Sequence, residues 1–155
     1  GEICVQGPNV MLGYWKNDSA TATTLRNGWL HTGDLGFYDR DGFFYVSDRL
    51  KELIKCSGFQ VAPAELEGLL LGHPAVKDAA VVAAPHDRKG EVPVAFVVLK
   101  DHHKPTDALA RELVEFCARQ TSHYKHLASV SFVSSIPKTA SGKILRRELR
   151  PRGKL

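Results

Sequence analysis

Two textures follow one another along the chain. Up to about Ser47 the apolar positions are scattered aromatics among Gly, Tyr, Trp and Thr, which predicts short strands and turns. Asp41-Gly42, between Phe37-Tyr38 and Phe43-Phe44-Tyr45-Val46, predicts a hairpin. Ser19 is placed to cap a short helix running to Arg26. From Asp48 the pattern changes. Glu52–Cys56 and Phe59–Val61, split by Ser57-Gly58, predict a second hairpin. Pro63 stands where a helix begins; that helix runs Ala64–Leu71 and ends at Gly72, read as a C′ glycine with Pro74 beyond it. Val76–Ala84 and Val92–Leu99 are apolar, β-branched runs and predict buried strands. Leu109, Leu113, Phe116 and Cys117 recur at helical spacing within Thr106–Thr121. Val130–Val133 predicts a strand, and the loop Pro137–Gly142 leads into a last short helix. The order β-β-α-β-β-α-β-α predicts an α+β fold, a small sheet covered by helices, preceded by the strands of the first region.

Composition narrows the class. The 155 residues, 43% hydrophobic and 25% charged, suit one domain or two small pieces and exclude disorder and fibrous repeats. No apolar run approaches the ~18 residues of a membrane span. Gly1–Val5 has no start Met and no signal-peptide core and reads as mid-strand, so a piece of a longer chain is expected. Cys4, Cys56 and Cys117 are odd in number and far apart. They argue against a disulfide framework and for a cytoplasmic or other reducing intracellular compartment, where the sequon Asn17-Asp18-Ser19 has no role. The net charge is +4, and Lys143, Arg146, Arg147, Arg150, Arg152 and Lys154 face a single Glu148. Two readings stand for this excess: a solvated basic tail, or attraction of a polyanionic small molecule or nucleic acid.

Two motif readings fail on spacing. Thr139-Ala140-Ser141-Gly142-Lys143 invites a phosphate-cradling loop, but Pro137 occupies the place of the first glycine and Ile144 that of the metal-binding hydroxyl. His123 and His126 near Cys117 match no common zinc pattern and read as surface histidines, as do His102-His103. No metal site is expected.

Three stretches taken together carry more. They are Gly28-Trp29-Leu30-His31-Thr32-Gly33-Asp34; Asp48-Arg49-Leu50-Lys51-Glu52-Leu53-Ile54-Lys55 running on to Gly58-Phe59-Gln60-Val61-Ala62-Pro63-Ala64-Glu65-Leu66-Glu67; and Pro137-Lys138-Thr139-Ala140-Ser141-Gly142-Lys143-Ile144. In this order they resemble the carboxyl-terminal signatures of the adenylate-forming enzymes, and within them the 4-coumarate–CoA ligase and firefly-luciferase-like group. Gly1-Glu2 through Gly13-Tyr14-Trp15-Lys16-Asn17 resembles that group's strand and turn just upstream. The resemblance implies an enzyme that activates a small carboxylic acid with ATP (Mg2+ accompanying it) as an acyl-adenylate and passes the acyl group to coenzyme A. It implies no nucleic-acid partner. It implies that residues 1–48 end the large domain and that 49–155 form a mobile lid, inactive alone.

The resemblance also implies roles. Asp34 would hold the ribose hydroxyls, a task suited to a carboxylate; taken by itself it reads first as the stabiliser of a glycine turn. Arg49 would lie near ribose and phosphate, or form a strand-end salt bridge. Lys51 falls at the family's hinge, or is a surface lysine. Lys143 matches the adenylation lysine, a point charge able to reach the substrate carboxylate and the α-phosphate together. Lys55 and Gln60 match residues that face the adenylate during thioester formation, or are the polar side of a hairpin. Ser57-Gly58 matches the turn lining the coenzyme A path. Many relatives carry an aromatic and a Lys where this chain has Cys56 and Ser57, so the contact implied here is backbone approach at Gly58. Two rivals stand beside this reading. One is a luciferase-like or carrier-protein-loading adenylating enzyme. The other is a non-enzymatic basic binding module, which predicts aromatics interleaved with basic residues on one sheet face.

Overall fold

A computed structural model describes residues 1–150, and the chain divides into two units that meet between Lys51 and Glu52. Arg152 and Lys154 of the basic tail lie outside the described residues.

The first unit is one antiparallel sheet built on a long central strand, β3 (Trp29–Tyr38). Strand β1 (Glu2–Val5) pairs with one edge of β3, and β2 (Leu25–Arg26) and β4 (Phe44–Arg49) share the other. The Asp41-Gly42 hairpin joins β3 to β4 as the sequence predicts, with Asp39 Oδ1 accepting the N–H groups of Asp41 and Phe43 at 3.0 Å each. The short helix differs from expectation. Helix α1 is Asp18–Thr24, and its cap is Asn17, whose Oδ1 accepts from Ala20 N, rather than Ser19. It stops two residues early because Leu25-Arg26 pair with Leu30 and Trp29 around Asn27-Gly28, a two-residue turn with both φ positive. The aromatic side chains Phe37, Tyr38, Phe43, Phe44 and Tyr45 are exposed on this sheet, with Asp39, Arg40 and Asp41 as their charged neighbours.

The second unit follows the predicted order. Strands β5 (Ile54–Cys56) and β6 (Phe59–Val61) form a hairpin. Helix α2 (Pro63–Leu71) precedes β7 (Val76–His86) and β8 (Gly90–Leu99), a long antiparallel pair. Helix α3 (Asp107–Ala118), a 3-10 turn at His123–Lys125, β9 (Ser129–Phe132) and α4 (Arg146–Leu149) complete it. The sheet order is β6-β5-β8-β7, with β9 added parallel to β8 on the edge that β5 also uses. Strand β7 is therefore an edge strand, yet Ala79 through Ala84 are buried on both faces. Helix α2 packs on β7, α3 on β9, and the helices touch each other.

Sequence causes are legible in each helix. Thr106 Oγ1 accepts Leu109 N and starts α3, where Leu113 and Cys117 are wholly buried at i, i+4. Burial pushes the Cys117 thiol up to about 11, so it packs as a neutral apolar group. Pro63 opens α2 and is buried. Gly72, expected to adopt the left-handed C′ conformation, is instead right-handed (φ −72°), its N–H shared among the carbonyls of Gly68, Leu69 and Leu70. Truncating Leu113 removes the centre of the α3 contact. Leu113→Ala is expected to cost about 3 kcal/mol, read as a lower urea midpoint at unchanged slope.

Candidate functional site

In the first unit the structure brings Asp34 and Arg49 together. They are register partners on β3 and β4, and Arg49 Nε lies 2.9 Å from Asp34 Oδ1. Thr32-Gly33-Asp34, expected as a turn, runs inside β3, kinked by Gly33 at φ +74°. The kink is fixed from several sides. Thr32 Oγ1 donates to Ile3 O at 2.7 Å and accepts from Asp34 N at 3.1 Å. Gly33 N donates to Glu2 Oε1 at 3.1 Å, and Gly33 O accepts from Leu50 N at 2.8 Å. A partly exposed carboxylate beside a guanidinium suits a ligand that offers hydroxyls and anionic oxygens at once.

A second cluster in this unit escaped the sequence reading. Glu2 and Cys4 alternate on β1, and Cys4 faces His31 across the pair, so carboxylate, thiol and imidazole converge within 4.8 Å. The His31 side chain holds the Glu2 carboxyl below its usual value. Arg26 already supplies a cation there, its guanidinium 2.6 Å from His31 Nδ1 and 3.4 Å from Glu2 Oε2. Thiol and imidazole donors do not suit Mg2+, which takes oxygen ligands.

In the second unit Lys55 and Gln60 are direct register partners, both exposed, next to the two-residue turn Ser57-Gly58. The turn has φ +51° and +83°, which only a primed turn provides. Glu91 Oε2 accepts Lys55 N at 2.9 Å, and Lys89 O accepts Ser57 N at 2.8 Å, so the turn is tied to the start of β8. A Cβ built on Gly58 meets nothing within 4 Å, so the backbone there is open to approach. Phe59 stacks on Tyr124 with centroids 4.4 Å apart.

Lys143 stands elsewhere, at the end of a small closed loop. Lys138 and Ile144 form a bridge; Thr139 N donates to Lys143 O at 2.8 Å, and Lys143 N donates to Thr139 Oγ1 at 3.1 Å. The loop is clipped to β7, not to the β5–β6 hairpin: Lys138 Nζ is 2.6 Å from Asp78 Oδ2. Among the described residues neither Lys143 nor Lys55 has an ion-pair partner.

Arg146 corrects the basic-tail reading. It is not solvated with Arg147 and Arg150; its guanidinium pairs with Glu52 and, at 2.8 Å, with both oxygens of Glu67. The signal was present in the sequence, since Glu67 falls in the stripe Pro63, Leu66, Leu70 that α2 buries. His123 and His126 stack on each other at 5.1 Å and join no three-donor cluster among the described residues.

Residues 65–143 match the family described as AMP-binding enzyme C-terminal domain. The chain belongs to that family. It is 54% identical over 97% of its length to a 4-coumarate–CoA ligase of Oryza sativa subsp. japonica, and 52% identical over 96% to the peroxisomal OPC-8:0-CoA ligase of Arabidopsis thaliana. It spans 26% and 27% of those two proteins, about a quarter of their length. Among solved structures, the o-succinylbenzoate CoA synthetase of Bacillus subtilis in complex with its acyl-adenylate intermediate superposes with a TM-score of 0.82. That protein is 44% identical, with 99% of this chain and 31% of that one covered. The α+β architecture read from the sequence is thus that of AMP-binding enzyme C-terminal domains. The turn at the hairpin tip gives a local check on the geometry. Gly58→Ala places a Cβ at φ +83° in open space and is expected to cost about 1 kcal/mol from backbone strain alone. Ser57→Gly should cost no more than a few tenths, and thermal melts of the two variants measure the difference.

Proposed function

We propose that the protein carrying this chain is an ATP-dependent acyl- or aryl-CoA ligase. A carboxylate oxygen of the substrate attacks the α-phosphorus of ATP, and pyrophosphate leaves. The coenzyme A sulfur then attacks the acyl carbonyl; its proton is lost and AMP leaves. The observation that carries the reading is Lys143, an exposed cation held by its backbone at the end of a closed loop, while its charged neighbours Lys138 and Arg146 are paired. A point charge so placed offsets the repulsion between substrate carboxylate and α-phosphate as they approach. Asp34 takes the ribose hydroxyls, and Arg49, fixed beside it, faces ribose or phosphate. Lys55 and Gln60, side by side on the hairpin, serve the thioester step, with coenzyme A passing the open backbone at Ser57-Gly58.

Mg2+ accompanies ATP in this reading. The Glu2–Cys4–His31 donors do not fit it, so no step is routed through a metal held by the described residues. Three unpaired cysteines, two of them buried, support a reducing compartment. No described helix is long and apolar enough to cross a membrane.

The test uses the full-length enzyme and follows each half-reaction in single turnovers. Lys143→Ala is expected to lower adenylate formation by at least about 100-fold and to leave thioester formation from supplied acyl-adenylate near wild type. Lys55→Ala should do the reverse. Equal losses of both steps in both variants refute the assignment.

Lys51 is exposed at the border of the two units and takes the hinge role here. A hinge must change φ, and proline fixes φ near −65° while restricting the residue before it. Lys51→Pro is expected to preserve folding, ATP binding and adenylation, and to slow thioesterification by orders of magnitude; Lys51→Ala should cost far less. A folded proline variant that runs both steps at wild-type rates removes Lys51 from this role.

A further inference from the structure

Strand β7 leaves an unusual problem at Val81. The residue sits opposite Ala95, and its N–H and C=O point away from β8 toward the sheet edge, where no strand follows. Both groups are nevertheless used. Glu67 Oε1 accepts Val81 N at 2.8 Å, and Arg146 Nε donates to Val81 O at 3.3 Å. Glu67 and Arg146 are themselves joined, and Glu52, the first residue of the second unit, closes the set on the other side of the guanidinium. One planar cation thus meets three acceptor groups from three separate nitrogens, whereas an ammonium must offer all its donors from a single atom.

The position of Arg146 in the chain gives this network a consequence. It is three residues from Lys143, and between them Leu145 N donates to Pro137 O at 2.8 Å, closing the base of the loop. At the other strand of the same loop, Lys138 is clipped to Asp78. The loop therefore has two anchors on one rigid strand, Asp78 and Val81, about 10 Å apart by strand rise. Between these anchors the Lys143 backbone is fixed at both its N–H and its C=O by Thr139.

We infer that Arg146, held by Glu52 and Glu67, is a positioning residue that sets the place from which Lys143 acts in the adenylation step. This rests on the role given to Lys143 above. Arg146 touches no substrate in this reading; it acts through the loop. A lysine at 146 keeps the charge but satisfies fewer of the three acceptors, so the loop's second anchor loosens while its sequence stays intact. Misplacement by about an ångström is enough to cost on the order of 100-fold in a positioned reaction.

The test is carried out on the full-length enzyme with Arg146→Lys, Lys143→Ala and the double variant, following each half-reaction separately with a melting curve for each protein. The expected result is a loss of about 10- to 100-fold in the adenylation kcat of Arg146→Lys. Its KM for ATP and its thioesterification of supplied acyl-adenylate should stay within about threefold of wild type. The substitution should add no further loss in the Lys143→Ala background, because its effect runs through Lys143. Glu52→Gln, which weakens the more exposed partner, should show the same selectivity in smaller degree. If Lys143→Ala keeps adenylation, the underlying reading fails. If Lys143→Ala loses it but Arg146→Lys does not, the positioning role fails alone. Equal losses in both half-reactions, additivity with Lys143→Ala, or a failure of both Arg146→Lys and Glu52→Gln to fold would make Arg146 a purely structural residue and overturn the inference.

Discussion

A carboxylate in the core stripe of α2 governs the second unit. Glu67 is 8% exposed and sits with Pro63, Leu66 and Leu70 on the buried side of the helix. Withdrawing a carboxylate from water costs several kcal/mol unless a cation and further donors meet it. Here the cation comes from Arg146, 79 residues further along the chain, and a further donor from the edge of β7. A leucine at position 67 would suit the apolar stripe of α2 but leave Val81 N and Arg146 without this acceptor. The charge joins α2, β7 and α4 in one arrangement.

That arrangement explains which parts of the fold were legible. The strands predicted over Val76–Ala84 and Val92–Leu99 announced themselves through apolar stretches such as Ala79–Ala84, which is buried at every position. The hairpins at Asp41-Gly42 and Ser57-Gly58 were legible because positive φ admits few residue types. The Asn27-Gly28 turn carried the same signal and was overlooked, so the end of α1 was misplaced by two residues. Gly72 showed the opposite error. A glycine after a helix usually marks a left-handed cap, but an N–H shared among three carbonyls at right-handed φ ends this helix instead.

The site divides along similar lines. Asp34, Arg49, Lys55, Gln60 and Lys143 are candidates proposed from short motifs, since each motif packs several constrained residues close together in sequence. Their pairing was not legible: Asp34 with Arg49, and Lys55 with Gln60, are joined by strand register. Arg146 was hidden among the basic residues of the tail. Charge counting treats Arg146 and Arg147 alike, whereas burial separates them completely, one in a triad and one in solvent.

The loop around Lys143 shows why a motif that fails as a phosphate cradle can still mark a candidate site. In a phosphate-cradling loop the backbone N–H groups point at the ligand and do much of the binding. Here four of them are consumed internally: Thr139 N on Lys143 O, Gly142 N on Thr139 O, Lys143 N on Thr139 Oγ1, and Leu145 N on Pro137 O. A loop whose amides are spent on its own closure has little backbone to offer an anion. What it can offer is a closed backbone base and one long side chain. The glycine and hydroxyl residues that suggested a cradle are therefore used for closure: Gly142 at φ +83° for the turn, and the Thr139 hydroxyl to hold Lys143 N. Under the proposed function, the chemistry left to this loop is that of the Lys143 ammonium, and the contacts that place it are those to Asp78 and Val81 on β7.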